Sequence, residues 1–264
     1  MNIILRELKS IRRSLIIWST SILFLIYVGM VKYEGFSKVG EAANEMFDSL
    51  PIAVKAILGI GSMDLAVASG YYVVFFLYFS MVGGIHAIMQ GAMVVSKEER
   101  DKTADFLMVK PVKRSYVIHM KIIASLIAMI IINAVTWIGS VVVVDLFNEG
   151  PSINDLIGKL MIGLFMIQLI YFAIGFLMGI LMKSTKKATS VSSAILLSTF
   201  LLSIIIDINS ELNVVKYLTP FKFFDGKMIY LEGLSGFSFI LSFILIFTCL
   251  GISYYVYEKK DLHV

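Results

Sequence analysis

Ser96 to Lys121 reads SKEERDKTADFLMVKPVKRSYVIHMK, and the placement of its charge decides the fold. It holds Lys97, Arg100, Lys102, Lys110, Lys113, Arg114 and Lys121, out of 23 Lys and Arg in the chain. Gly70 to Val95 before it carries no formal charge, and neither does Ile122 to Val144 after it. A polar insert between two such apolar runs reads as a loop joining membrane-spanning helices. Its excess of Lys and Arg places it on the cytoplasmic side.

The insert has internal order. Ser96 and Glu99 stand at capping-box spacing, so a helical turn can begin there. Asp101 or Thr103 can cap a second short helix whose apolar side is Phe106 and Leu107. Pro111 disfavours helix at Lys110 and stops it, after which Ser115 can cap the next helix. By charge alone the segment is a solvated loop. The pattern Glu98-Glu99, Thr103, Phe106-Leu107, Pro111-Val112 and Arg114 resembles the cytoplasmic loop of ABC transporter permeases of the type-2 class. It departs from that pattern at Lys102, where a Gly commonly precedes the Thr. The resemblance implies that the loop contains a coupling helix that docks on a separate ATPase subunit.

The rest of the composition agrees with a membrane location. Of 264 residues, 58% are hydrophobic, against about 45–50% apolar in soluble domains, and the excess requires lipid to cover it. The net charge of +4 does not indicate nucleic acid, because the basic residues flank apolar spans. The single Cys249 excludes an intrachain disulfide.

Beyond the loop, the chain reads as a single transmembrane domain, 1–264, which the resemblance makes a permease domain; it is all-α, with six spans at about 14–31, 71–95, 116–144, 157–182, 188–206 and 234–257. Ahead of the first span, Ile4, Leu8, Ile11 and Leu15 form an apolar stripe opposite Arg6, Lys9 and Arg13. This predicts an amphipathic helix lying in the cytoplasmic interface. The stretch SLPIAVKAILGIG at 49–61 is too short to span and belongs to an outer segment. Thr219 can cap a helix with Pro220 at its first position, and Phe221, Phe223, Phe224 and Tyr230 suit an interfacial aromatic belt. Sixteen Lys and Arg fall on the side of the central loop and seven on the other, so both termini are expected inside the cell membrane.

Several residues inside the spans are candidates for a cavity or a dimer interface. Gly83, Ala87 and Gly91 repeat a small residue every fourth position, which permits close helix approach. His86 and Gln90 share that helix, and an intramembrane His serves either as an interhelical hydrogen-bond partner or as a functional group. Asn133 in span three and Ser193 in the hydroxyl-rich span five complete the set. Those hydroxyls either satisfy their own helix carbonyls or form a polar translocation surface.

No phosphate-loop motif occurs, nor H-E-x-x-H, C-x-x-C or G-x-S-x-G, and His86, His119 and His263 are dispersed. The expectation is therefore a non-catalytic subunit with no cofactor or metal of its own. The resemblance implies an exporter of two permease copies and two ATPase subunits carrying ATP and Mg, with cargo among antibiotics, peptides and ions, of which the highly apolar spans favour a peptide, antibiotic or other amphipathic or hydrophobic molecule. The rival class is an ATP-independent secondary transporter or membrane-embedded enzyme. A secondary transporter usually needs ionisable groups at mid-membrane, where His86 is the one clear candidate.

Overall fold

A computed structural model describes residues 3–61, 63–100, 114–182 and 184–259. The predicted short helix bearing Thr103, Phe106, Leu107 and Pro111 lies outside the described residues. The long helices are α1 (Ile3–Val39), α4 (Ala68–Arg100), α5 (Arg114–Phe147), α6 (Asn154–Leu181), α7 (Thr185–Ile208) and α10 (Gly236–Lys259). Short elements join them at one end: α2 (Glu41–Asp48), α3 (Ile52–Leu58), a 3₁₀ turn (Ser210–Leu218), α8 (Pro220–Phe223) and α9 (Gly226–Glu232). All six long helices contain a stretch long and apolar enough to cross a membrane.

The helix α6 is the axle of the bundle. Its sequence is apolar on every face, which is the pattern of a helix buried all round. Accordingly α4, α5, α7 and α10 all pack against it, while α1 lies on α5 and touches α4. The least enclosed spans are α1, α7 and α10, whose outward faces carry Ile16, Phe24, Leu197, Leu201, Ile244 and Phe247.

Three local expectations change. The N-terminal amphipathic segment is not a separate element, because α1 runs unbroken from Ile3 to Val39. Its stripe Ile4, Leu8, Ile11, Leu15 keeps its period through Trp18, Ile22 and Ile26, so nothing at Ser14 interrupts it. At 1.5 Å per residue α1 is about 55 Å long, well beyond a hydrocarbon core of about 30 Å. Second, Ser96 starts no new turn, since α4 continues through it to Arg100, and α5 begins at Arg114, one residue before Ser115. Third, the aromatic string at 221–224 is largely core. Phe221 packs on Tyr171 and Phe200 with ring centroids 5.2 and 5.3 Å apart, and Phe224 packs on Phe239 at 5.3 Å. Only Tyr230 of that group is exposed.

The short elements are made by their caps. Pro51 occupies the N-cap of α3, and Gly59 ends it in the left-handed region at φ 71°, with Ile60 N–H donating to the Lys55 carbonyl. Asp225 caps α9 by accepting from the N–H groups of Lys227 and Met228. Thr219 is the N-cap of α8 and Pro220 follows at N1, but the Thr219 hydroxyl does not cap. Instead it donates to the Thr199 carbonyl of α7 at 2.8 Å, tying the short elements to the bundle.

Candidate functional site: two polar ends and a glycine seam

The small residues of α4 meet those of α6. A methyl group placed on Gly83 would lie 2.9 Å from Leu164 and 3.1 Å from the Gln168 amide nitrogen. One on Gly91 would collide with the Phe172 carbonyl, and one on Gly175 with the Ile88 carbonyl. Gly179 lies as close to Ala92, and Ala87 is fully buried. The Gly175-x-x-x-Gly179 pair and the α4 ladder are thus two halves of one intrachain seam. Gly83 is covered by α6 of the same chain, and Ala87 is buried within the bundle.

His86 faces another neighbour. It is buried, edge-on to Trp18 of α1 with centroids 5.4 Å apart, and its Nδ1 has no hydrogen-bond partner among the described residues. Gln90 is half-buried one turn on. Asn133 donates to the Met161 carbonyl at 3.1 Å and borders an apolar recess of 320 Å³ with Trp137, Phe165 and Met166. Ser193 is half-buried on α7. Among the described residues Asn133 sits at the α5–α6 junction and His86 at the α1–α4 junction, so those two belong to different places in the bundle.

The hydroxyls of α7 divide. Thr189, Thr199 and Ser203 donate to carbonyls of their own helix. Thr199 also bonds the Tyr171 hydroxyl of α6 at 2.7 Å, while Ser192 is fully buried and its Oγ has no hydrogen-bond partner among the described residues. Gln168 is likewise fully buried, and among the described residues neither amide atom has a hydrogen-bond partner.

At the end carrying Ile3 and Arg100, Lys121 is the main surprise. By sequence Lys121 counts with the charge of the central loop although it also falls within span three. It lies on α5, 2% exposed, and its ammonium donates to the Val94 carbonyl of α4 at 2.8 Å. Glu7 of α1, 8% exposed, stands 3.5 Å from the same ammonium and 3.5 Å from Arg6. The available signal was an acid on the apolar stripe of α1: Glu7 falls between Ile4 and Ile11 at helical spacing. Of the residues assigned to coupling, Glu98 and Glu99 lie in the last turn of α4 and Arg114 opens α5.

At the opposite end Lys222 bridges Asp207 at 2.5 Å and Asp225 at 2.9 Å. Burial works against its charge, but the carboxylates of Asp225 and Asp207 outweigh that and hold the ammonium above its ordinary range. Beside it lies a cavity of 380 Å³ between α3, α4 and α9, walled by Val73, Phe76 and Phe221 and rimmed by Asp48, Lys55 and Lys227. Among the described residues no cluster of His, Cys, Asp or Glu could hold a metal.

Six apolar helices around a buried axle, with polar fastenings at both ends, define a polytopic membrane protein. The family model for ABC-2 family transporter protein matches residues 1–262, and the chain belongs to that family: it is an ABC transporter permease. No curated protein gives a significant match. Members of the family are membrane subunits, generally non-catalytic, that work with an ATPase subunit.

Proposed function

We propose that this chain is the membrane-spanning half of an ATP-driven exporter in the cell membrane, working as a pair of permease copies on two separate ATPase subunits. The family match over nearly the whole chain carries this reading. ATP and Mg belong to the partner subunits. Both termini and the 96–113 segment are cytoplasmic, as the Lys and Arg bias argues. Phe106 and Leu107 dock on the ATPase, with Glu98, Glu99, Thr103, Pro111 and Arg114 shaping the loop around them. Closure of the ATPase pair displaces the adjoining ends of α4 and α5. The rigid α4–α6 seam passes that motion into the bundle and switches access to a cavity between the two copies.

The cargo is a peptide, antibiotic or other amphipathic molecule. The apolar outward faces of α1, α7 and α10 and the lack of charge through the membrane core favour such a cargo over a small ion. The test is affinity purification of the tagged chain from its own membranes in mild detergent. Stoichiometric recovery of an ATP-hydrolysing subunit is expected. Recovery of the chain without one points to an ATP-independent transporter.

A further inference from the structure

Lys121 joins three helices at one point. Its ammonium, donated from α5, holds the Val94 carbonyl of α4 and faces the Glu7 carboxylate of α1. Both charged groups are buried, Lys121 at 2% and Glu7 at 8% exposure. Ion pairs of this kind give little net stability over well-packed apolar residues, because desolvation offsets their attraction, whereas removing one partner strands the other. Their attested use is to fix one arrangement of the elements they join. An apolar residue at 121 would have filled the space, and an ordinary i→i+4 helix bond leaves the Val94 carbonyl a free lone pair that Lys121 occupies.

The location gives that arrangement a use. The α4 and α5 helices flank residues 101–113, and Val94 and Lys121 lie on the two helices just inside that segment. Farther along, α1 is tied to α4 by Trp18 against His86 and by the Tyr71 hydroxyl, which donates to the Gly29 carbonyl at 2.8 Å, while near Ile3 this joint links α1 to both α4 and α5. We infer that Lys121 and Glu7 are positioning residues for coupling: the Lys121 ammonium makes α1 move with the paired ends of α4 and α5 when ATP acts on the complex. This rests on the permease reading above.

The test uses the full chain, Cys249→Ser, reconstituted in nanodiscs with its co-purified ATPase subunit. Spin labels go on exposed positions Leu5 of α1, Ile138 of α5 and Leu197 of α7. Distances are compared without nucleotide and after ATP with vanadate. The Leu5–Leu197 and Ile138–Leu197 distances should both shift in the parent and in Lys121→Arg. In Lys121→Met the Leu5–Leu197 shift should fall by at least half while the Ile138–Leu197 shift persists. Glu7→Gln, which keeps volume and leaves Lys121 bonded to Val94, should do the same and serves if Lys121→Met fails to insert. A Leu5–Leu197 shift of parental size in either variant overturns the joint. A parent complex silent to ATP at both pairs overturns the permease reading and the joint together.

Discussion

Gly91 of α4 lies against Gly175 of α6 so closely that a methyl group on Gly91 would sit 3.1 Å from the Gly175 carbonyl carbon. The two backbones are in direct contact at the centre of the bundle, with Ile88 and Phe172 carbonyls sealing the same seam. In a membrane, where lipid tails are as apolar as leucine, such close approach supplies the packing that holds helices together.

Side chains in that seam should therefore be costly. Gly91→Val or Gly175→Val is expected to destabilise the detergent-purified protein by about 1–3 kcal/mol or to prevent insertion. Gly251→Ala on α10, where nothing lies within 4 Å, should be neutral or stabilising by up to about 1 kcal/mol. Thermal unfolding of the three variants decides the matter. Equal melting temperatures would mean that the helices can part at the seam.

The buried amide of Gln168 gives the opposite sign. With neither amide atom bonded among the described residues, Gln168→Met removes a desolvated polar group at similar volume, so stability should hold or rise. A drop of several degrees would show that the amide is satisfied in the membrane, by water or by a second copy.

The Lys222 bridge predicts a pH window. A lysine whose folded-state pKa is raised contributes its full stabilisation below its ordinary value of about 10.4 and loses it as pH rises through the folded value. Stability should therefore not depend on Lys222 ionisation between about pH 6 and 10, and should fall above that. Lys222→Met, which leaves Asp207 and Asp225 facing each other, should cost about 1–3 kcal/mol at neutral pH and lack that alkaline limb. Melting temperature against pH for both proteins is the measurement.

Topology follows from impermeant thiol labelling in a Cys249→Ser background. Glu149→Cys and Lys38→Cys should react in intact cells, and Lys186→Cys only after permeabilisation. Asp225 is a poor probe because it pairs with Lys222 and caps α9. Labelling at 186 from outside would invert the orientation.

The number and order of spans were legible because each is a run of apolar residues bounded by charge, and lipid leaves helix as the only way to satisfy such a backbone. The small-residue ladder on α4 was visible, but not that Gly175 and Gly179 of α6 are its partners, since spacing names a face and not its neighbour. Lys121 was misplaced for a physical reason. A charge count assigns every lysine near a loop to water, and only tertiary contact shows that Glu7 and the Val94 carbonyl wait for this one inside the bundle. Phe221 and Phe224 were assigned to the interface by composition, whereas α8 turns them inward onto Tyr171, Phe200 and Phe239.

In the proposed function, residues 103–109 dock this chain onto an ATPase. Burying Phe106 and Leu107 is worth roughly 1.5–3 kcal/mol each before ordering costs, and each 1.4 kcal/mol is about tenfold in affinity. The direct measurement is recovery of the ATPase subunit, and of vanadate-sensitive ATP hydrolysis, on the tagged chain and on the Phe106→Ala/Leu107→Ala variant at equal membrane insertion. The double variant should lose about tenfold or more of both. Parental recovery and parental hydrolysis in the double variant would contradict it.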